Sequence, residues 1–256
     1  MAGDNPDHNR RQPGLIAALL ELCFPPSCLL CRTGLPAFGE AQLCPDCRTK
    51  IRLIAPPLCR CCGTEFLGAG ENHLCGPCLA SPPYFERARS VFRYGDESGR
   101  LLHAFKYGGK TAGRRTFAAL ARESGVLAEL TEPELILPVP LHPRRLRARG
   151  FNQALVLARF LMPERRERIR PDLLRRSRWT EPQTSLSGQA RRRNLTGAFA
   201  LGDPTLVRGR RILLVDDVFT TGTTLNECAK ALRQAGAAQV EALTLARVNT
   251  DLQAKG

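Results

Sequence analysis

The chain has 256 residues, 43% of them hydrophobic, enough to build one large or two smaller cores. No stretch reaches the roughly 20 apolar residues that span a bilayer, which argues against a membrane protein and gives the cytoplasm as the expected location. The formal charge of +14 is uneven: residues 1–85 carry seven basic and seven acidic side chains, and residues 86–256 carry 31 and 17. The basic excess of the second part points to polyanions, whether nucleotides or nucleic acid, although a merely solvated face has the same composition.

From the N-terminus, Leu15 to Phe24 reads as an amphipathic helix. It contains Glu21 and lacks the basic start and small-residue cleavage site of a signal peptide. Ten of the eleven cysteines then fall within residues 23–78. Cys28-x-x-Cys31 is followed after twelve residues by Cys44-x-x-Cys47, and the set recurs 31 residues later as Cys59, Cys62, Cys75 and Cys78. This is an internal repeat. A CxxC knuckle wraps two thiolates around one metal, and two knuckles close a tetrahedral, structural zinc site. Two zinc ions are therefore expected, held by Cys28, Cys31, Cys44, Cys47, Cys59, Cys62, Cys75 and Cys78. Spacing favours pairing consecutive knuckles and leaves interleaving open. Cys23, Cys61 and Cys228 are left over; Cys61 lies between two candidate ligands and could compete for metal. Disulfides are disfavoured by the absence of a secretory signal.

Ser81-Pro82-Pro83 reads as a linker, dividing the chain into residues 1–84 and 85–256. Beyond it, Ala88–Tyr94 reads as a strand, Leu101–Tyr107 and Arg115–Leu127 as helices, and Glu134–Pro140 as an apolar strand. A basic turn follows the first helix at Lys106–Lys110. After Pro140 a loop over residues 141–153, with Arg144, Arg145, Arg147 and Arg149, leads to a helix ending near Leu161. His142 reads as a structural or exposed histidine. Residues 175–199 form a long polar stretch between short strands near Leu173–Leu174 and Ala198–Leu201, and loops of that length are often lids. Strands alternating with helices predict an α/β fold with a doubly wound parallel sheet.

The sharpest signal is the stretch from Arg210 to Thr224. Ile212–Val215 reads as a strand buried on both faces, followed by Asp216 and Asp217. Then come hydroxyls around Gly222 and a helix from Leu225 to Ala235, stopped by Gly236. Backbone N–H groups at such a helix start attract a phosphate, and paired carboxylates accept hydrogen bonds from vicinal sugar hydroxyls. The bland reading is a strand-to-helix turn with Asp and Thr as caps.

This stretch resembles the phosphoribosyl-pyrophosphate (PRPP) signature of type I phosphoribosyltransferases. The resemblance implies that Asp216 and Asp217 are catalytic residues that hold the ribose hydroxyls. It implies that Val218, Phe219, Thr220, Thr221, Gly222, Thr223 and Thr224 form the segment cradling the 5′-phosphate, and that Mg²⁺ accompanies PRPP. Arg149-Gly150 is similar to the family's pyrophosphate loop, and residues 175–199, with Arg191, Arg192 and Arg193, hold the place of its catalytic lid.

Over about residues 20–250 the chain resembles the ComF family of competence-associated proteins, which join a double zinc ribbon to a phosphoribosyltransferase-like domain. The marks are Pro25-Pro26-x-Cys28-x-x-Cys31, Lys106-Tyr107-Gly108, Pro138-Val139-Pro140-Leu141-His142, Arg149-Gly150-Phe151-Asn152-Gln153, Thr180-x-x-Gln183, Arg192-x-Asn194-x-x-Gly197-Ala198-Phe199 and the PRPP signature. The resemblance implies handling of single-stranded DNA during natural transformation, with other competence proteins as partners. Three functions stay open: a phosphoribosyltransferase with an unidentified acceptor, a non-catalytic PRPP or nucleotide sensor, and a nucleic-acid-binding module.

Overall fold

The computed structural model describes residues 26–36, 41–107, 113–177 and 197–249. Its centre is a four-stranded sheet made of β1 (Arg87–Arg93), β2 (Leu135–Pro138), β5 (Arg211–Phe219) and β6 (Gln239–Arg247). The strands are all parallel, in the order β1-β6-β5-β2. The apolar run of β5 alternates between two cores. Leu213 and Val215 face one, Ile212 and Leu214 the other, as the period of two requires.

The first core is closed by α3 (Asp96–Tyr107), α4 (Arg114–Glu123) and α6 (Gln153–Leu161). The second is closed by α7 (Thr223–Gln234) and by the antiparallel hairpin of β3 (Leu174–Arg176) and β4 (Phe199–Leu201). In α7 the buried residues Leu225, Cys228, Ala229 and Leu232 follow the helical i, i+3, i+4, i+7 pattern. The sheet is thus doubly wound, as the alternation of elements predicts. Chains leaving β2 and β5 run to opposite faces, which opens a crevice beyond their carboxyl ends, where such sheets bind ligands.

The cysteine repeat is reproduced bond for bond at its 31-residue offset. Cys28 N–H donates to the Thr33 carbonyl and Cys59 N–H to that of Thr64; Arg32 N–H donates to Cys28 and Gly63 N–H to Cys59. Arg32 takes a φ of 68° where Gly63 takes 71°. The short helices α1 (Pro45–Thr49) and α2 (Gly76–Ala80) stand in register as well. Both ribbons pack into the sheet: Leu30, Leu43 and Ile51 join the first core, and the second cysteine set joins the other. Between them, residues 52–54 pair with β1, Arg93 N–H donating to the Arg52 carbonyl at 2.8 Å and Ile54 N–H to Val91 at 3.1 Å. The ribbons therefore straddle the β1 edge and cover it.

Two local expectations are corrected. Residues 143–149 are not loop but the helix α5 (Pro143–Arg149). His142 is its N-cap, its ring Nδ1 accepting from Arg144 N–H at 3.2 Å; Pro143 suits the first turn, and Gly150 ends it at φ +76°. None of its residues is buried, so no apolar periodicity marks it in the sequence. The strand β5 also does not stop before the acidic pair. It runs to Phe219 because β6 continues alongside, pairing Asp216 with Thr244 and Phe219 with Arg247. The helix expected over Leu15–Phe24, residues 108–110 of the expected basic turn, and residues 178–196 of the lid stretch lie outside the described residues.

Candidate nucleotide-phosphate crevice and metal centres

The crevice starts from the acidic pair. β2 ends at Pro138, opposite Val215, so Asp216 and Asp217 extend past their neighbour on that side. Side chains alternate along a strand, and the two carboxylates consequently meet different surroundings. Asp217 turns to the α3 side, where Lys106 Nζ lies 2.7 Å from its Oδ2. Burial, followed by the charge of Asp217, pushes the Asp216 carboxyl well above its ordinary range. Asp217 N–H donates to Asp216 Oδ1 at 2.9 Å and opposes that shift only in part. Burial and the neighbouring carboxylate thus disfavour charge on Asp216, and a cation or a hydrogen-bond donor would relieve that.

The turn follows directly. Thr220 and Thr221 are exposed, and the Thr221 and Thr223 hydroxyls lie 2.8 Å apart at the start of α7. Gly222 holds φ +73°, and a Cβ there would come within 2.5 Å of Phe219 Cζ. Glycine is thus required twice, by backbone conformation and by the ring beneath it. Val218 is half-buried, while Phe219 is buried under the turn rather than open to the crevice.

On the β2 side stand the arginines of α5. Arg149 donates to Gln153 Oε1 at 2.9 Å, and Asn152 caps α6 while its Nδ2 donates to the Val139 carbonyl at 3.1 Å. Burial, then the charges of Arg176, Arg144, Arg147 and Arg145, depress the pKa of His142, a sign of a strongly positive field. Arg176, at the end of β3, is half-buried. Burial and then Arg145 lower its pKa, whereas the charge of Asp216 opposes them.

The eight repeated cysteines fall into two groups, Cys28, Cys31, Cys44, Cys47 and Cys59, Cys62, Cys75, Cys78, with all four sulfurs of each group within 4.8 Å of one another. Cys31 and Cys44 Sγ are 3.6 Å apart, as are Cys62 and Cys75 Sγ. Four thiolates at about 2.3 Å from a tetrahedral zinc would be separated by about 3.8 Å, so both groups fit that ion. Consecutive knuckles pair, and interleaving is excluded. Cys61 is not in the second group. Its thiol sits 3.6 Å from the Phe85 carbonyl, and burial pushes its pKa up to about 11.

With the geometry in place, comparison with known proteins is decisive. A double zinc ribbon domain matches residues 19–79, and a phosphoribosyl transferase domain matches residues 153–255. The DNA utilization protein YhgH of Escherichia coli O6:H1 is 37% identical over 235 residues, covering 88% of this chain and 99% of that protein. The chain belongs to the ComF family. Competence protein F of Haemophilus influenzae is 35% identical over 175 residues, covering 66% of this chain and 76% of its own. Competence protein ComFC of Streptococcus pneumoniae is 30% identical over 159 residues, covering 62% and 67%.

The two cysteine groups of this ComF chain fit structural zinc sites, in which four thiolates leave a tetrahedral ion no open position. Three residues at the crevice escape a reading of the sequence. Lys106 is visible there as part of a basic turn and of the mark Lys106-Tyr107-Gly108, neither of which places it beside Asp217; Arg176 is visible only as one arginine among several, and Arg247 not at all. No helix among the described residues is long and apolar enough to cross a membrane.

Proposed function

We propose that the protein binds PRPP, or a closely related phosphorylated ribose, in the crevice beyond β5 and β2, and that it acts on single-stranded DNA in natural transformation or DNA use. The observation that carries the first part is the acidic pair near the end of a central strand, followed two residues later by a hydroxyl–glycine turn at the start of a twelve-residue helix. Asp216 and Asp217 accept hydrogen bonds from the ribose hydroxyls. Thr220, Thr221, Thr223, Thr224 and the backbone N–H groups around Gly222 hold the 5′-phosphate. Val218 and Phe219 shape the turn from below. Arg149 and the Gly150 backbone take the pyrophosphate, with guanidinium forks suited to phosphate oxygens.

The carboxylates of Asp216 and Asp217 would hold Mg²⁺ through the hard oxygen donors that it prefers. When bound it neutralises pyrophosphate charge; Lys106 releases Asp217 to the sugar as the ligand enters. The relatives' names, which refer to competence and DNA utilization, support the DNA part together with the basic C-terminal half.

Calorimetry of the full chain with PRPP and Mg²⁺ tests the binding. Saturable one-site binding that inorganic pyrophosphate and ribose 5-phosphate compete away is the expected result; no heat and no competition would end the reading. Pyrophosphate release across a panel of bases and oligonucleotides then asks whether transfer follows binding.

A further inference from the structure

The second ribbon and the phosphate turn are joined through one side chain. Arg247, at the end of β6, is only 6% exposed. Its Nη1 donates to the Cys62 carbonyl at 2.6 Å, and its Nη2 lies 3.4 Å from the Cys62 sulfur and also donates to the Thr64 hydroxyl. The other face of the same guanidinium lies 4.1 Å from the centre of the Phe219 ring. Phe219 is itself 4% exposed, and its ring is the surface on which Gly222 rests. The path is therefore Cys62, Arg247, Phe219, Gly222: a metal ligand, a cation, a ring and the turn.

The first ribbon provides a comparison inside the same molecule. Cys31, the counterpart of Cys62, is exposed; both thiols bond to the threonine two residues on, Thr33 at 3.3 Å and Thr64 at 3.2 Å, but Cys62 also has Arg247 beside it. The first ribbon packs on the opposite face of the sheet, against α3 and α4.

We propose that Arg247 is a positioning residue that couples the second four-cysteine centre to the phosphate turn, so that metal in that centre, and not in the first, governs how firmly the turn is held. With zinc bound, the Cys62 thiolate is fixed and accepts a charge-assisted bond from Arg247, as outer-shell partners of metal ligands do. The guanidinium then lies flat on Phe219, and the ring supports the glycine from below. Without the metal, Cys62 is free to move, and the cation loses the anchor that orients it. The consequence for PRPP rests on the phosphate reading of the turn; the mechanical coupling does not.

The test compares the full-length chain with Arg247→Met, Arg247→Lys and Cys31→Ser. Zinc content, hydrogen exchange of residues 219–226 against residues 135–137 of β2, and PRPP affinity are measured for each. Arg247→Met should speed exchange in 219–226 and weaken PRPP binding, each about tenfold, with β2 unchanged. Arg247→Lys, which keeps the charge but not the fork, should fall between, and it decides the matter in the same readouts if the methionine variant unfolds. Cys31→Ser should lose one zinc without speeding exchange in 219–226 relative to β2. Unchanged exchange in the Arg247 variants, or equal loosening of the turn in Cys31→Ser, overturns the coupling. Faster exchange in a chain that never binds PRPP would instead uphold the coupling and overturn the phosphate reading.

Discussion

The ammonium of Lys106 lies 2.7 Å from the carboxylate of Asp217, across the gap between the end of α3 and the end of β5. The residues are 111 positions apart, and only the packing of α3 on the sheet makes them neighbours. The ion pair balances the charge of Asp217 at the crevice, and it must open if Asp217 is to reach a sugar.

Asp217→Asn should therefore weaken PRPP binding by about 1.5–3 kcal/mol, the worth of a hydrogen bond to a charged group, without unfolding the chain. Lys106→Met should act differently. It removes the competitor for Asp217 but leaves two adjacent carboxylates uncompensated, so binding should become more dependent on Mg²⁺. Calorimetry at several Mg²⁺ concentrations separates the two. Unchanged affinity in the asparagine variant would remove Asp217 from the site.

Asp216 should behave as a residue kept for function at a cost in stability. Burial and Asp217 raise its folded pKa above the unfolded value, so the folded state binds the proton more tightly. Its contribution is favourable at low pH and is lost as pH rises through the raised folded pKa. At neutral pH, Asp216→Asn should thus stabilise the fold by about 1 kcal/mol while reducing PRPP affinity. Thermal melts at pH 7 and pH 5 check the sign: the gain over the parent protein should shrink at the lower pH. A variant less stable than the parent at pH 7 would contradict the argument.

These residues show what the sequence could and could not reveal. Ile212–Val215 was legible because four apolar residues in a row suit only a strand buried on both sides. The ribbons were legible because thiolate spacing is imposed by the metal. By contrast, α5 carries no buried residue, and acids are poor markers of a strand, so both the helix and the extension of β5 depend on neighbours distant in sequence. The same holds for Lys106, for Arg247, and for the way the ribbons close the β1 edge. Each is a tertiary contact between segments whose local patterns are silent about one another.

Stripping the zinc should destabilise more than the ribbons. Leu30, Leu43 and Ile51 share a core with Phe92, Phe105 and Phe117, and residues 52–54 pair with β1, so the metal centres support the sheet itself. Two zinc ions per chain are expected by metal analysis. A strong chelator should lower the melting temperature of the whole molecule by more than about 5 °C, since about 1 kcal/mol shifts a domain of this size by roughly 2–4 °C. Protease protection of residues 26–80 in metal-free protein would refute it.

Single-stranded DNA should bind the full chain with an affinity that falls steeply as salt rises, with arginines of α5 as the expected contacts. Several basic side chains of residues 163–211 are matched by acids: Arg165 and Arg168 by Glu132, Arg170 by Asp172, and Arg210 and Arg211 by Glu134. Helix α5 carries no acidic residue and exposes Arg144 and Arg147 beside the crevice. Each phosphate contact on a single strand contributes a slope of about −0.7 to the dependence of affinity on salt. The double variant Arg144→Ala, Arg147→Ala should flatten that slope by about 1.4, whereas Arg165→Ala should barely change it. Competition decides whether this surface is distinct from the small-ligand site. If these arginines served only PRPP, saturating PRPP would abolish DNA binding; a separate DNA surface lets the oligonucleotide stay bound. Fluorescence anisotropy with a labelled oligonucleotide, at several salt concentrations and with or without PRPP, measures both. No binding by the full chain at low salt would overturn the prediction, and an unaltered slope in the double variant would move the DNA surface away from α5.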